Sequence, residues 1–206
     1  MSGGIKIFAD GSGGARTAWM WQDWNRDRTG IDAGNRGYPA FDPAAIRDLI
    51  ALYHDAGFHV GTHAIGDRTI DWVVDSYAAA LQRKPVKGLR HSLIHANIPS
   101  GHALDVIAAM QREYDAVIPE PSPSFTWWFG ATYDANFGPE RSLRLNPFAT
   151  FGKRGIRWAS GSDYFVTPFP ARYGIWAAVA REPLLNPAGD DPFGRAEAVD
   201  ARAALR

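Results

Sequence analysis

The sequence predicts an α/β protein: a partial (β/α)8 barrel of about five parallel strands with crossover helices. Three observations predict it. Short apolar runs alternate with segments of helical period along the 206 residues, an order that gives a parallel sheet with right-handed crossovers. Four of the runs lead into Asp10, His63, His95 and Asp163. A barrel converges the carboxyl ends of its strands on one point, whereas an open doubly wound sheet gathers only the neighbours of a switch point. Finally, Gly11-Ser12-Gly13-Gly14 opens a long loop rather than a helix, so the glycines do not form a dinucleotide fingerprint.

Gly4 to Ala9 reads as the first strand, with Lys6, Phe8 and Asp10 on one face by the period of two. A long loop rich in Trp, Arg, Asp and Gly runs from 15 to 41. Asp42-Pro43 is an N-cap followed by a proline at the first helical position, and Ile46, Leu49, Ile50 and Tyr53 give that helix its apolar face up to about Ala56. Gly57 ends it, and Phe58 to His63 is the second strand. A helix opens at Asp67, carries Ile70, Val73, Val74, Tyr77 and Leu81 as its stripe, and closes at Pro85. Leu89 to Ala96 is the third strand, followed by a helix from Ser100 to about Glu113 and a short fourth strand from Ala116 to Pro119. Residues 120 to 137 read as a second long loop containing Phe125, Trp127, Trp128, Phe129, Tyr133 and Phe137. A short helix over 147–154, a fifth strand over 156–163 and a helix from about Pro170 to Arg181 follow. The tail from Glu182 ends in an Ala-rich helix from about Ala196 to Leu205.

Composition bounds the function classes. The length suits a single domain over 1–206. Lys plus Arg and Asp plus Glu both total 22, so the formal net charge is zero, and nothing favours electrostatic capture of nucleic acid or of an anionic membrane. With no cysteine there is no disulfide framework, thiolate metal site or Cys nucleophile. A metal would be bound through His, carboxylate or modified Lys. No apolar run approaches the ~18 residues of a membrane span, and the first residues lack the pattern of a signal peptide. A small-molecule substrate and a cytoplasmic location are therefore expected.

The polar strand ends are the candidates for chemistry. A histidine closing a buried strand is where an α/β enzyme places a metal ligand, and His63 and His95 both do so. Lys6 sits inside an otherwise apolar strand, either snorkelling to water or, carboxylated, serving as an anionic oxygen ligand. Asp163 follows Gly161-Ser162 and reads as a ligand or as a cap. His54, His59 and His91 read as structural, with His91 also able to support a ligand from behind.

These residues carry a resemblance. Lys6-Ile7-Phe8-Ala9-Asp10-Gly11-Ser12, His63-Ala64-Ile65-Gly66-Asp67, Arg90-His91-Ser92-Leu93-Ile94-His95-Ala96, and Gly161-Ser162-Asp163 with Ile175 to Arg181 together resemble the amidohydrolase superfamily. The chain is most similar to its amidohydrolase 3 branch, which includes N-substituted formamide deformylase-like enzymes. The resemblance implies a metal-dependent hydrolase of amide-type, non-peptide C–N bonds on a barrel. Its ligand set would match Lys6, His63, His95 and Asp163 to the fourth, fifth, sixth and eighth strands. It further implies a divalent metal, zinc above all, and a carboxylated Lys6. Asp163 would act as general base toward the attacking water. Arg16 and Asp10 would orient substrate, and the aromatic loop with Trp127 and Trp128 would wall the pocket.

Two departures stand against the family pattern. The chain has no His-x-His, and Ile94 occupies a position that usually holds Glu. A complete barrel needs roughly 250 residues, so the chain reads as a fragment lacking the first strands and the family's β-sandwich. Such a piece would leave open sheet edges. We expect homo-oligomerisation that covers them, or a local rearrangement, and the activity of this chain is in question. Two other readings compete: a non-catalytic barrel remnant with an assembly role, and a carbohydrate-active barrel in which Trp127 and Trp128 stack on sugar beside Glu120.

Overall fold

The computed structural model describes residues 3–25, 34–185 and 193–205. Part of the expected 15–41 loop (26–33) and part of the tail (186–192) lie outside them, as do residues 1, 2 and 206. The first half alternates strand and helix: β1 (Ile5–Phe8), α1 (Pro43–Asp55), β2 (Val60–Ala64), α2 (Asp67–Arg83), β3 (Ser92–His95), α3 (Gly101–Tyr114) and β4 (Ile118–Glu120). The strands form one parallel sheet in the order β1-β2-β3-β4. Sequence-adjacent strands are spatial neighbours, as in consecutive units of a (β/α)8 barrel.

Local chemistry sets the helix ends. The Asp42 side chain accepts from the Ala44 N–H ahead of Pro43, and Ser100 accepts from the Ala103 N–H at the start of α3. One sheet face is packed by the helices: Ile7, Val60, Ala64 and Leu93 join Ile46, Ile50, Ile70, Val73, Val74 and Ile107 in the main core. None of the helices among the described residues is long and apolar enough to cross a membrane.

The edge of the sheet at β1 is open. The Ile5 N–H bonds the His59 carbonyl and the Ala9 N–H bonds the His63 carbonyl. By the alternation of a parallel ladder, the backbone groups of Lys6 and Phe8 point away from β2. Both side chains are exposed, Phe8 by 51%.

Two segments depart from expectation. Residues 156–162 form no strand and touch β4 through one ladder-like bond, Ala159 N–H to the Pro119 carbonyl at 3.0 Å. The cause is Gln111 of α3. Its amide nitrogen donates to the Arg157 carbonyl and its amide oxygen accepts from the Arg157 N–H, both at 2.8 Å. A side-chain amide thereby takes the backbone pair that a fifth strand would need for its ladder.

The expected 120–137 loop is helical instead: α4 (Pro123–Trp128) and α5 (Gly130–Phe137), followed by α6 (Pro139–Ser142). Pro123 starts α4, and Gly138 at φ 79° ends α5. Phe125, Phe129, Tyr133 and Phe137 recur every four residues, the spacing of one helical face. They fill or flank a second core with Ala18, Met20, Trp24, Ile65 and Ile98. Beyond these lie α7 (Phe148–Lys153) and α8 (Ala171–Ala180). The expected tail helix is divided into a 3-10 turn over Arg195–Glu197 and α9 (Ala201–Ala204), because Asp200 caps Ala203. The buried Arg181 guanidinium joins this region, donating to the carbonyls of Leu145, Asn146 and Phe193.

A histidine relay lies on the helix side of the sheet. His54 Nε2 is 2.8 Å from the Lys84 carbonyl and so carries the proton, which leaves His54 Nδ1 to accept from His91 Nε2 at 2.9 Å. His91 Nδ1 in turn accepts from the Val60 N–H at 3.1 Å. Adding a proton to either ring would set two donors face to face. His91 stacks on Tyr77 of α2, and the His59 ring lies 6.4 Å from it. Burial, then the charges of His54 and His59, push its pKa down to about 3. Because the folded value lies below the unfolded one, near 6.5, the unfolded chain binds more protons between them. The stability from keeping His91 neutral is complete above about pH 6.5 and is lost as pH falls toward about 3, on the order of a few kcal/mol in all. We expect urea midpoints to fall between pH 7.5 and pH 4.5 in the natural protein and to fall less in His91→Leu. Equal slopes would contradict the relay.

Candidate active site

The site is built at the carboxyl ends of the strands. In β2 the residues alternate: Val60, Thr62 and Ala64 face the helices, while Gly61 and His63 lie on the other face. Asp10, just past β1, holds His63 in place. Its carboxylate is buried and accepts from the N–H groups of Trp19 (3.1 Å), Ile65 (3.1 Å) and Gly66 (2.9 Å). It thus joins the end of β1 to the loop before α1 and to the turn between β2 and α2. His63 Nε2 lies 3.4 Å from the same carboxylate and 2.8 Å from the Gly11 carbonyl. That carbonyl can only accept, so Nε2 carries a proton.

His95 reaches the site by a backbone device. It pairs with Ala64 in the register of β2 and β3, and in a regular strand it would share the helix-facing side with Leu93. Its φ of 73° breaks the alternation, and Ala96 follows at 41°. Left-handed backbone at a non-glycine residue costs about 1 kcal/mol or more and persists where packing holds it. Here the ring lies 4.6 Å from His63, edge-on at 79°, and stacks on Phe125 at 5.2 Å. Its Nδ1 faces Ser122 Oγ at 3.4 Å. Burial, and after it the charges of His63 and Lys6, hold its pKa down to about 3, so the ring is neutral.

Asp163 is also left-handed, at φ 52°, and opens a turn in which its carbonyl accepts from the Val166 N–H. Two cavities meet at His95 and Asp163. One of about 240 Å³ is lined by those two with His63, Ile65, Phe125 and Tyr133 among its walls. The other, of about 400 Å³, adds Lys6, Glu120, Ser122 and Ser160. All four expected ligand candidates therefore border one pair of adjoining cavities. Lys6 reaches it from β1, with Nζ 4.7 Å over the Phe8 ring. A larger groove of about 450 Å³ beside Asp23, Arg36 and Arg141 shares no wall residue with either.

The donor set fits a divalent cation in its chemistry. Burial holds the His95 ring neutral, and each imidazole has one ring nitrogen anchored: His63 by Gly11 and Asp10, His95 by Ser122. Anchoring of the second nitrogen is the usual arrangement of ligating histidines. Among the described residues no group of three His, Asp or Glu side chains is drawn together closely enough to hold an ion. The two imidazoles would be the anchors of such a site.

Other expected site residues lie elsewhere. Asp10 is buried and spends its oxygens on backbone N–H groups, so it supports His63 from behind rather than meeting substrate. Arg16 borders neither cavity; its carbonyl accepts from Asn35. Trp127 is packed on Tyr173 of α8 at 4.9 Å, and Trp128 lies beside it, half-exposed. Neither borders the cavities, where Phe125, Phe129 and Tyr133 stand instead. His91 belongs to the relay and not to the site. Ser122 and Ile65 escaped the sequence reading. The four-residue aromatic spacing could have exposed the helix that presents Phe125, but Ser122 carries no signal in its type or context.

The model of the amidohydrolase family matches residues 1–205. The chain is 29% identical over 181 residues to the putative amidohydrolase YtcJ of Bacillus subtilis (strain 168), covering 87% of this chain and 32% of that protein. It is 27% identical over 173 residues to the N-substituted formamide deformylase of Arthrobacter pascens, covering 81% and 29%. Among solved structures, an uncharacterized metal-dependent hydrolase from Pyrococcus furiosus superposes with a TM-score of 0.72 at 24% identity, covering 97% of this chain and 37% of that one. Its counterpart from Pyrococcus horikoshii OT3 gives 0.74 at 22% identity, with the same coverage. These structural likenesses support the partial-barrel fold. The chain spans about a third of the length of the curated relatives it matches.

Proposed function

The chain belongs to the amidohydrolase family, and from that premise we propose that it supplies the carboxyl-end half of a metal-dependent site that hydrolyses non-peptide C–N bonds of the amide or formamide type. The observation that carries the reading is the meeting of His63, His95 and Asp163 on one apolar cavity, with Lys6 on the cavity adjoining it.

His63 and His95 would hold a divalent cation, zinc in the first instance, with Asp163 and a carboxylated Lys6 completing the set. Such an ion lowers the pKa of bound water toward neutrality and polarises a carbonyl oxygen. Asp163 accepts the proton of the attacking water on a carboxylate oxygen and returns it to the departing amine. Gly11 and Asp10 fix the His63 ring, and Ser122 and Phe125 fix that of His95. Phe125 and Tyr133 keep water from the apolar side. Burial, together with the charges of Asp163 and Asp10, raises the Tyr133 pKa, so its hydroxyl stays protonated and adds no charge there.

The open edge at Lys6 and Phe8 and the exposed Tyr164, Phe165 and Phe169 favour self-association that covers them. The test is an assay of the purified chain, reconstituted with zinc, on a panel of simple secondary amides, with the sedimentation of the same sample recorded. We expect hydrolysis that a chelator abolishes and that Asp163→Asn slows at least about a hundredfold, in a species larger than the monomer. Equal rates for the two proteins would overturn the assignment of Asp163, and a monomer would overturn self-association.

A further inference from the structure

His95 comes to the site on a left-handed turn, and two side chains that grip this turn border neither cavity. Asn97 lies two residues on, and Asn146 lies between α6 and α7; both are fully buried. They meet twice. The Asn146 N–H donates to the Asn97 carbonyl at 2.7 Å, and Asn97 Nδ2 donates to Asn146 Oδ1 at 3.0 Å. Asn146 Nδ2 then donates to the Ser122 carbonyl at 3.3 Å.

The polarity of this chain of bonds is fixed. A backbone carbonyl only accepts, so the Asn146 nitrogen faces Ser122 and its oxygen faces Asn97. Asn97 must therefore offer its nitrogen, and its own Oδ1 is left buried with no donor among the described residues. Turning either amide over would set two oxygens face to face. A buried acceptor without a donor is costly, so packing alone does not favour this pair.

We infer that Asn97 and Asn146 are positioning residues for His95. Asn97 pins the backbone just past the left-handed His95 and Ala96. Asn146 pins the residue from which both neighbours of the ring hang. Ser122 places its Oγ 3.4 Å from His95 Nδ1, and its carbonyl also accepts from the N–H of Phe125, whose ring stacks on His95. One amide pair thus holds the turn that carries the ring and the surface on which the ring rests. The Asn146 carbonyl is itself anchored by the buried Arg181. The inference rests on the reading of His95 as a cation ligand only for its zinc measurement.

The test is proton NMR of the metal-free chain at neutral pH. In the natural protein the His95 ring protons should lie upfield, over Phe125, and show cross-relaxation with those of His63, whose ring is 4.6 Å away. Aspartate keeps the shape of asparagine and tolerates the φ of 49° at position 146, but has no NH2 to donate. Asn97→Asp and Asn146→Asp should each lose the upfield shift and the cross-peak. Thr150→Val is the control for mere loss of stability: it removes a hydroxyl bond to Glu197 on α7 and should leave both signals in place. In zinc titrations the two Asp variants should bind at least about tenfold more weakly than the natural protein, and Thr150→Val should not. Altered ring signals with no zinc uptake by any of the proteins would sustain the inference and count against the metal reading. Natural ring signals in both Asp variants would overturn it, whatever the zinc affinity. If the variants do not fold, the natural chain decides: Nδ2 protons of Asn97 and Asn146 that exchange far more slowly than those of an exposed asparagine sustain the bonds, and exchange at the exposed rate overturns them.

Discussion

Asp10→Ala is expected to destabilise the chain by about 3–5 kcal/mol, because it strands several buried backbone donors at once. Asp10 is 4% exposed, and its carboxylate accepts from Trp19, Ile65 and Gly66, groups on two different connections. Removing it leaves three N–H groups without that acceptor and releases His63 Nε2 from one side. Against a total stability of about 5–15 kcal/mol, that is enough to unfold a large share of the molecules on mild heating. Asp10→Asn is the discriminating partner. Oδ2 alone serves Trp19 and Gly66, so an asparagine oxygen in that place keeps two of the three bonds, while its NH2 meets the Ile65 N–H. We expect about half the loss. Urea midpoints of the three proteins at neutral pH measure this. If Asp10→Ala falls within about 0.5 kcal/mol of the natural protein, the range of an ordinary surface change, the carboxylate does not hold the turn.

Much of the site was legible because a parallel sheet directs its strand ends to one side. His63 follows from period two along an apolar strand, and its elements were placed to within a few residues. His95 is more instructive. Strict alternation sends it toward the helices with Leu93, and it meets His63 through a left-handed φ of 73° that no residue type announces. The histidine was visible in the sequence; the backbone turn that brings it to His63 was not.

The misreadings have physical causes as well. Asp10 looked like a residue awaiting substrate because strand-end carboxylates often are. Its role as acceptor for three backbone donors depends on where residues 19, 65 and 66 arrive, which is tertiary information. The missing fifth strand turns on Gln111, whose side-chain amide replaces a ladder pair from the middle of a helix. The aromatic segment after β4 was the avoidable miss: Phe125, Phe129, Tyr133 and Phe137 are spaced for one helical face, and Pro121, Pro123 and the Trp127-Trp128 pair obscured the period.

Equilibrium zinc titration of the purified chain tests most directly whether His63 and His95 are the paired anchors of a cation site. The natural protein should take up about one equivalent of zinc, and His63→Ala and His95→Ala should each weaken that binding by at least about a hundredfold. His102 supplies the control: it is exposed on α3, 2.8 Å from Asp75 and away from both cavities, so His102→Ala should bind as the natural protein does. A natural protein that takes up no zinc, or whose uptake survives both substitutions unchanged, would contradict the account.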